Sequence, residues 1–245
     1  MTNIRLLIVS APGPSRAELF RHVKHDEGLE ARVDAVFFDM DGLLADTEKV
    51  WLRVETEVME RLGGEWSHEH QRNLVGGSME RAVDYMLAVS GADVPAHAVR
   101  QWLIDGMLRR LGEGVEVMPG ALELLTSVVE AGVPVALVTS SLPEIADAVL
   151  ESVGRDRFDA IVTAGDVRCP KPDPEPYLKA CALVGARPAR SVVLEDSPNG
   201  VAAASAAGCQ VVAVPSLLPI EPVPGRVVVS SLLDVDLPFL RSLIP

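Results

Sequence analysis

The chain has 245 residues, 48% hydrophobic and 23% charged, which is enough apolar material for a sizeable core and excludes wholesale disorder. That length fits one large domain or one domain with an insertion. With 22 basic against 35 acidic residues, net −13, the charge disfavours nucleic acid or an anionic membrane as partner, although a local cation can still bring an anionic substrate into one cleft.

Residues 1–33 form an N-terminal extension. IRLLIVSAPGPSRAELFRHV reads as strand, loop, helix, either an extra unit at a sheet edge or a poorly docked segment. IRLLIVS has a short apolar centre and no small-residue cleavage site after it, so it reads as a strand rather than a signal peptide. No apolar run reaches the roughly 18 residues of a membrane span. Cys169, Cys181 and Cys209 make no CxxC pair and no metal-ligand spacing, as expected of free thiols in a reducing cytosol. A cytoplasmic protein is the expectation.

From Ala35 onward, short β-rich apolar runs alternate with helical patterns, which predicts βαβ units and a parallel sheet. The expected strands are Ala35–Phe38, Val133–Val138, Ala160–Thr163, Ser191–Leu194 and Gln210–Val214, with Arg226–Val229 at an edge. The expected helices are Ala121–Glu130, Pro143–Ser152, Pro174–Val184 and Asn199–Ala206, the last closed by Gly208. Between Lys49 and Val117 there is no convincing strand. Apolar residues there recur at three- and four-residue spacing (Val54, Val58, Leu62; Ala82, Met86, Val89; Val99, Leu103, Met107), which predicts three or four inserted helices. The fold class is therefore α/β, a Rossmann-like parallel sheet core with an inserted all-helical cap. Residues 34–48 and 118–245 form the core and 49–117 the cap, above the carboxyl ends of the strands where open α/β sheets bind ligands.

Several strands run into polar residues. The first ends in DMDG, the second in Thr139-Ser140-Ser141, the fourth in Glu195-Asp196, and CPKPDP carries Lys171. In a parallel sheet these tips share one edge. Asp39, Glu195 and Asp196 can share a hard divalent cation such as Mg²⁺, which prefers oxygen ligands. A hydroxyl, the lysine and turn N–H groups can hold a phosphate. Taken singly, each stretch has an ordinary alternative: DMDG a turn, Thr139-Ser140 a helix cap, Lys171 a solvated lysine, Glu195-Asp196 a helix start.

DMDGLLAD, VTSS, KPDP and LEDSPNG, in this order, resemble the four motifs of the haloacid dehalogenase superfamily, closest to its phosphatase and β-phosphoglucomutase-like branch with a helical cap. The resemblance spans about residues 33–233. It implies that Asp39 is the nucleophile that becomes an aspartyl-phosphate. Asp41 would protonate the leaving oxygen, deprotonate the attacking water and offer its carbonyl to Mg²⁺. Thr139, Ser140 and Lys171 would bind phosphoryl oxygens. Glu195 and Asp196 would complete the Mg²⁺ site, and Gly42 would let the backbone turn beside the phosphate.

DTEKVW (Asp46 to Trp51) is similar to a segment that follows the first motif in such phosphatases. Glu48 and Trp51 then face the substrate, or else are a first-turn acid and a packed aromatic. Gly76 and Gly77 either reach the active site or make an interhelix turn, and Arg81 is a further candidate contact. His68, His70 and His97 read as solvated, Trp66 and Trp102 as cap core.

The resulting expectation is a Mg²⁺-dependent phosphatase of a small phosphorylated metabolite, a sugar or sugar-alcohol phosphate. No nucleic acid or membrane partner is expected, and a monomer is compatible with the sequence. The alternatives are a phosphomutase of the β-phosphoglucomutase type and, from another class, a non-catalytic binding or regulatory module. Trp51 and Met79 occupy places where the mutases carry a histidine and a basic residue, which favours hydrolysis.

Overall fold

The computed structural model describes residues 32–245. The expected N-terminal strand–helix unit lies almost wholly outside the described residues. Six strands form one all-parallel sheet: β1 (Ala35–Phe38), β2 (Val135–Val138), β3 (Ala160–Val162), β4 (Ser191–Glu195), β5 (Gln210–Ala213) and β6 (Arg226–Val228), in the order β3-β2-β1-β4-β5-β6. The neighbours β2 and β4 enclose β1, with Phe38 opposite both Leu137 and Leu194. β1 is thus central, and its residues are buried on both faces, which is why it reads as a continuous apolar run. Val36 and Phe38 point into one core cluster, Ala35 and Phe37 into the other, following the two-residue period of a strand.

Nine α-helices lie among the described residues. Four of them fall between β1 and the core helix α5 (Ala121–Glu130): α1 (Glu48–Arg61), α2 (His68–Arg72), α3 (Met79–Ser90) and α4 (Ala96–Leu111). Val54 and Val58 of α1 pack with Val99, Leu103 and Met107 of α4, the apolar stripes read from the sequence. The segments entering and leaving these helices run side by side: Asp46 N–H donates to Glu116 O at 2.8 Å and Met118 N–H to Leu44 O at 2.9 Å. The insertion is thereby anchored next to the end of β1.

The remaining helices are α6 (Pro143–Val153), α7 (Glu175–Val184), α8 (Pro198–Ala206) and α9 (Leu237–Ser242). Three of them follow strand tips that carry motif residues. Pro143 and Pro198 stand at first-turn positions of α6 and α8, where a missing N–H costs nothing. The capping residue of α8 is Ala207, and Gly208 follows it at φ +82°.

Candidate active site

The first acid is delivered by β1 itself. Asp39 N–H still donates to Leu194 O at 3.0 Å, so strand pairing with β4 persists to this residue. The chain then turns at Gly42, with φ +75°. A side chain at Gly42 would run into the Asp196 carboxylate, so glycine is needed both for the turn and for the close approach of the two motifs.

Lys171 reaches the same point from the loop between β3 and α7. Its Nζ lies 2.5 Å from Asp39 Oδ1 and 2.5 Å from Glu195 Oε1, and donates to Val138 O at 2.9 Å. Glu195 is fully buried at the end of β4. Besides Lys171, its Oε1 accepts from Tyr177 Oη at 2.7 Å, while Oε2 accepts from the main-chain N–H groups of Asp196 and Ser197 at 3.1 and 3.2 Å. The Ser197 hydroxyl is a further donor to Oε2 at 3.2 Å. Asp196 Oδ2 accepts from Ser216 Oγ at 2.5 Å.

Three buried carboxylates thus meet one ammonium. Burial, then the Glu195 charge, holds Asp39 well above the usual carboxylate range despite Lys171. Burial and the Glu195 charge raise Asp196 likewise. Burial alone would push Lys171 down, but the Asp39 and Glu195 charges override it and hold the ammonium protonated. Ligand oxygens of Asp39, Glu195 and Asp196 lie within 4.8 Å of one another. An all-oxygen donor set with uncompensated negative charge fits a hard divalent cation. Because Glu195 already takes five donors, the less committed oxygens are those of Asp39 and Asp196.

Asp41 sits beside this cluster with both oxygens engaged. Thr47 Oγ1 donates to its Oδ1 at 2.7 Å, with the Trp51 indole N–H at 3.4 Å. Thr139 Oγ1 and Ser141 Oγ donate to its Oδ2 at 3.1 and 2.8 Å. Here the structure differs from the sequence reading: the Thr139 hydroxyl holds Asp41 rather than standing free for a ligand. Ser140 Oγ, buried and without a protein partner among the described residues, is the open donor at this strand tip.

Asp39, Asp41, Ser140, Lys171 and Asp196 line one cleft together with the cap residues Glu48, Trp51, Gly76 and Gly77. The cleft holds about 750 Å³ of empty space, part of it open to solvent. Gly76 carries the cap onto the core: Asn199 Nδ2 donates to its carbonyl at 3.1 Å, and a Cβ on it would sit 2.7 Å from Ser197 Oγ. Arg81 is not brought in; its guanidinium donates to Asn73 O at 3.0 Å and it is absent from the cleft wall. His70 stacks on Trp66, and Trp102 packs under Arg61.

Sequence reasoning missed Glu55, Gln71 and Tyr177. Gln71 Nε2 donates to Glu48 O at 2.7 Å and to Glu48 Oε2 at 3.1 Å. Trp66 Nε1 donates to Glu55 Oε2 at 3.0 Å. Glu55 did carry a signal, an acid seven residues after Glu48 and therefore on the same face of α1. For Gln71 and Tyr177 the sequence offers none.

The model of the haloacid dehalogenase-like hydrolase family matches residues 36–214. Hexitol phosphatase B of Escherichia coli (strain K12) is 34% identical over 188 residues, 74% of this chain and 83% of that protein. The fructose-1-phosphate phosphatase YqaB of the same organism is 32% identical over 187 residues, 75% of this chain and 97% of that protein. Among solved structures, CbbY from Rhodobacter sphaeroides in complex with xylulose-1,5-bisphosphate superposes with a TM-score of 0.76 at 26% identity, covering 84% of this chain and all of that one.

Proposed function

The chain belongs to the haloacid dehalogenase-like hydrolases, and from that premise we propose that it is a cytoplasmic, Mg²⁺-dependent phosphatase of a sugar or sugar-alcohol phosphate. The observation that carries this reading is the convergence of Asp39, Lys171, Glu195 and Asp196 on one strand edge, with Asp41 adjacent. Similarity to a hexitol phosphatase and a fructose-1-phosphate phosphatase supports the substrate class.

In this mechanism an Asp39 carboxylate oxygen attacks phosphorus. The new O–P bond forms as the bond to the leaving oxygen breaks, and Asp41 gives that oxygen its proton. Water then attacks the aspartyl-phosphate, Asp41 takes the water's proton, and inorganic phosphate leaves. Lys171 and Ser140 hold phosphoryl oxygens, the lysine oriented by Glu195 and the fully buried Tyr177. Asp41 would trade its Thr47 and Trp51 contacts on Oδ1 for substrate in this step, while Thr139 and Ser141 on Oδ2 aim it. Asp39, the Asp41 carbonyl, Glu195 and Asp196 would hold Mg²⁺, which when bound screens the charge between carboxylate and phosphate.

Closure of residues 49–117 over the cleft excludes bulk water. The test is release of inorganic phosphate from a panel of phosphorylated metabolites and p-nitrophenyl phosphate with Mg²⁺. Asp39→Asn is expected to lose at least about 10³-fold in turnover while keeping the native fold. A wild-type protein that releases phosphate from no ester would return the reading to a binding module.

A further inference from the structure

The cap end of the cleft has its own chemistry. Glu48 and Glu55 stand seven residues apart on α1 and both line the cleft. Each spends one carboxyl oxygen on a protein donor, Gln71 for Glu48 and Trp66 for Glu55. The second oxygen of each has no hydrogen-bond partner among the described residues. Several cationic side chains of the cap are committed elsewhere: Lys49 pairs with Asp46 and Glu116, Arg109 and Arg110 with Glu57, and Arg81 with a carbonyl. Among the described residues lining the cleft, the one cation is Lys171, already shared by Asp39 and Glu195 at the other end.

We propose that Glu48, Glu55 and Gln71 form a charge filter that admits phosphomonoesters with an uncharged, hydroxyl-bearing far end and rejects those with a second anionic group there. This rests on the phosphatase reading and deepens it. A sugar or alditol hydroxyl finds carboxyl oxygens and an amide to bond. A second phosphate or a carboxylate would be buried against acids with no counter-charge, a juxtaposition that natural interfaces use to exclude partners. The same arrangement disfavours a mutase, which must seat two phosphates at once.

The experiment compares kcat/KM for glucitol 6-phosphate and glucitol 1,6-bisphosphate, which differ by one phosphate, in the wild type and in Glu48→Lys. The wild type is expected to favour the monophosphate about 100-fold or more. The variant, checked for native circular dichroism, is expected to narrow that ratio at least 10-fold by supplying the missing counter-charge. A wild-type ratio within about threefold of unity overturns the filter without any variant, as does an unchanged ratio in folded Glu48→Lys. Hydrolysis of p-nitrophenyl phosphate in the same preparation separates the two claims. If that ester is cleaved and the bisphosphate is handled equally well, the filter alone fails; if wild type cleaves no ester, the phosphatase reading falls and the filter with it.

Discussion

Replacing Tyr177 by Phe removes one oxygen from the most buried polar contact of the site. Tyr177 lies in the first turn of α7, fully buried, its ring stacked on Phe37 at 6.5 Å between centroids. Burial, foremost, pushes its hydroxyl well above the ordinary tyrosine range, so it stays a proton donor to Glu195 Oε1 at 2.7 Å. Phe keeps the ring and its stacking. What disappears is a hydrogen bond to a buried carboxylate, worth about 1.5–3 kcal/mol net. Lys171 and the three donors on Oε2 remain, which keeps the expected loss near the middle of that range, about 2 kcal/mol. For a domain of this size that is roughly 4–8 °C in Tm. The assay is urea unfolding in EDTA, with a lower midpoint at unchanged m. Coupling to Glu195→Gln in a double-mutant cycle should reach about 1 kcal/mol. A loss below about 0.5 kcal/mol, or additive single and double variants, would refute the idea that Tyr177 anchors Glu195 and through it Lys171.

Gly76→Ala should lower kcat/KM for a hexitol phosphate about 10-fold or more, because it puts a side chain at φ +65° and against Ser197 where the cap meets the core; unchanged kinetics would remove Gly76 from that contact. Mg²⁺ added at about 100 times its Kd to EDTA-treated protein should stabilise by about 2.7 kcal/mol, roughly 5–11 °C in a thermal melt. Asp196→Asn should erase most of that gain, and retention of the full gain would place the ion elsewhere. Glu55, lifted by burial from an ordinary 4.5 to about 7, keeps its proton in the native state while the unfolded chain has lost it. The native state then binds more protons, so stability falls as pH rises from about 4.5 to 7. At 1.36 kcal/mol per pH unit the ceiling is about 3 kcal/mol. Urea midpoints at pH 5 and 8 should therefore converge in Glu55→Gln relative to wild type.

The parts of this molecule that were legible in sequence are those whose pattern has one physical cause. β1 is buried on both faces, so AVFF is apolar throughout and its bounds match the expected Ala35–Phe38. At β2 the expectation began two residues early, because Val133 and Pro134 continue the apolar run although the strand starts at Val135. Both residues are only half-buried, and Pro134 O already accepts from Val36 N–H at 2.9 Å, so the apolar run leads into the strand without a mark at its start. The motif residues were legible for a topological reason. Parallel strands put their carboxyl ends on one edge, so DMDG, VTSS and LED had to meet, whatever lay between them in the chain.

Side-chain direction was the illegible part, and Thr139 shows why. Its place at the tip of β2 follows from the strand, but its rotamer depends on what competes for the hydroxyl. In the structure that competitor is Asp41, which gathers Thr47, Trp51, Thr139 and Ser141. A carboxylate with four donors is aimed by all of them at once, and none of the four lies in its own motif. The same holds in the cap. Glu48 was nameable because DTEKVW resembles a segment that follows the first motif in such phosphatases, but its partner Gln71 comes from a five-residue helix, α2, with no periodic signal, and Glu55 is flanked by the core positions Val54 and Val58. An acid next to a core stripe is costly unless something receives it. Here Trp66 takes one oxygen of Glu55, and the residue lines the cleft, so the acid is received on both sides of the core stripe it interrupts.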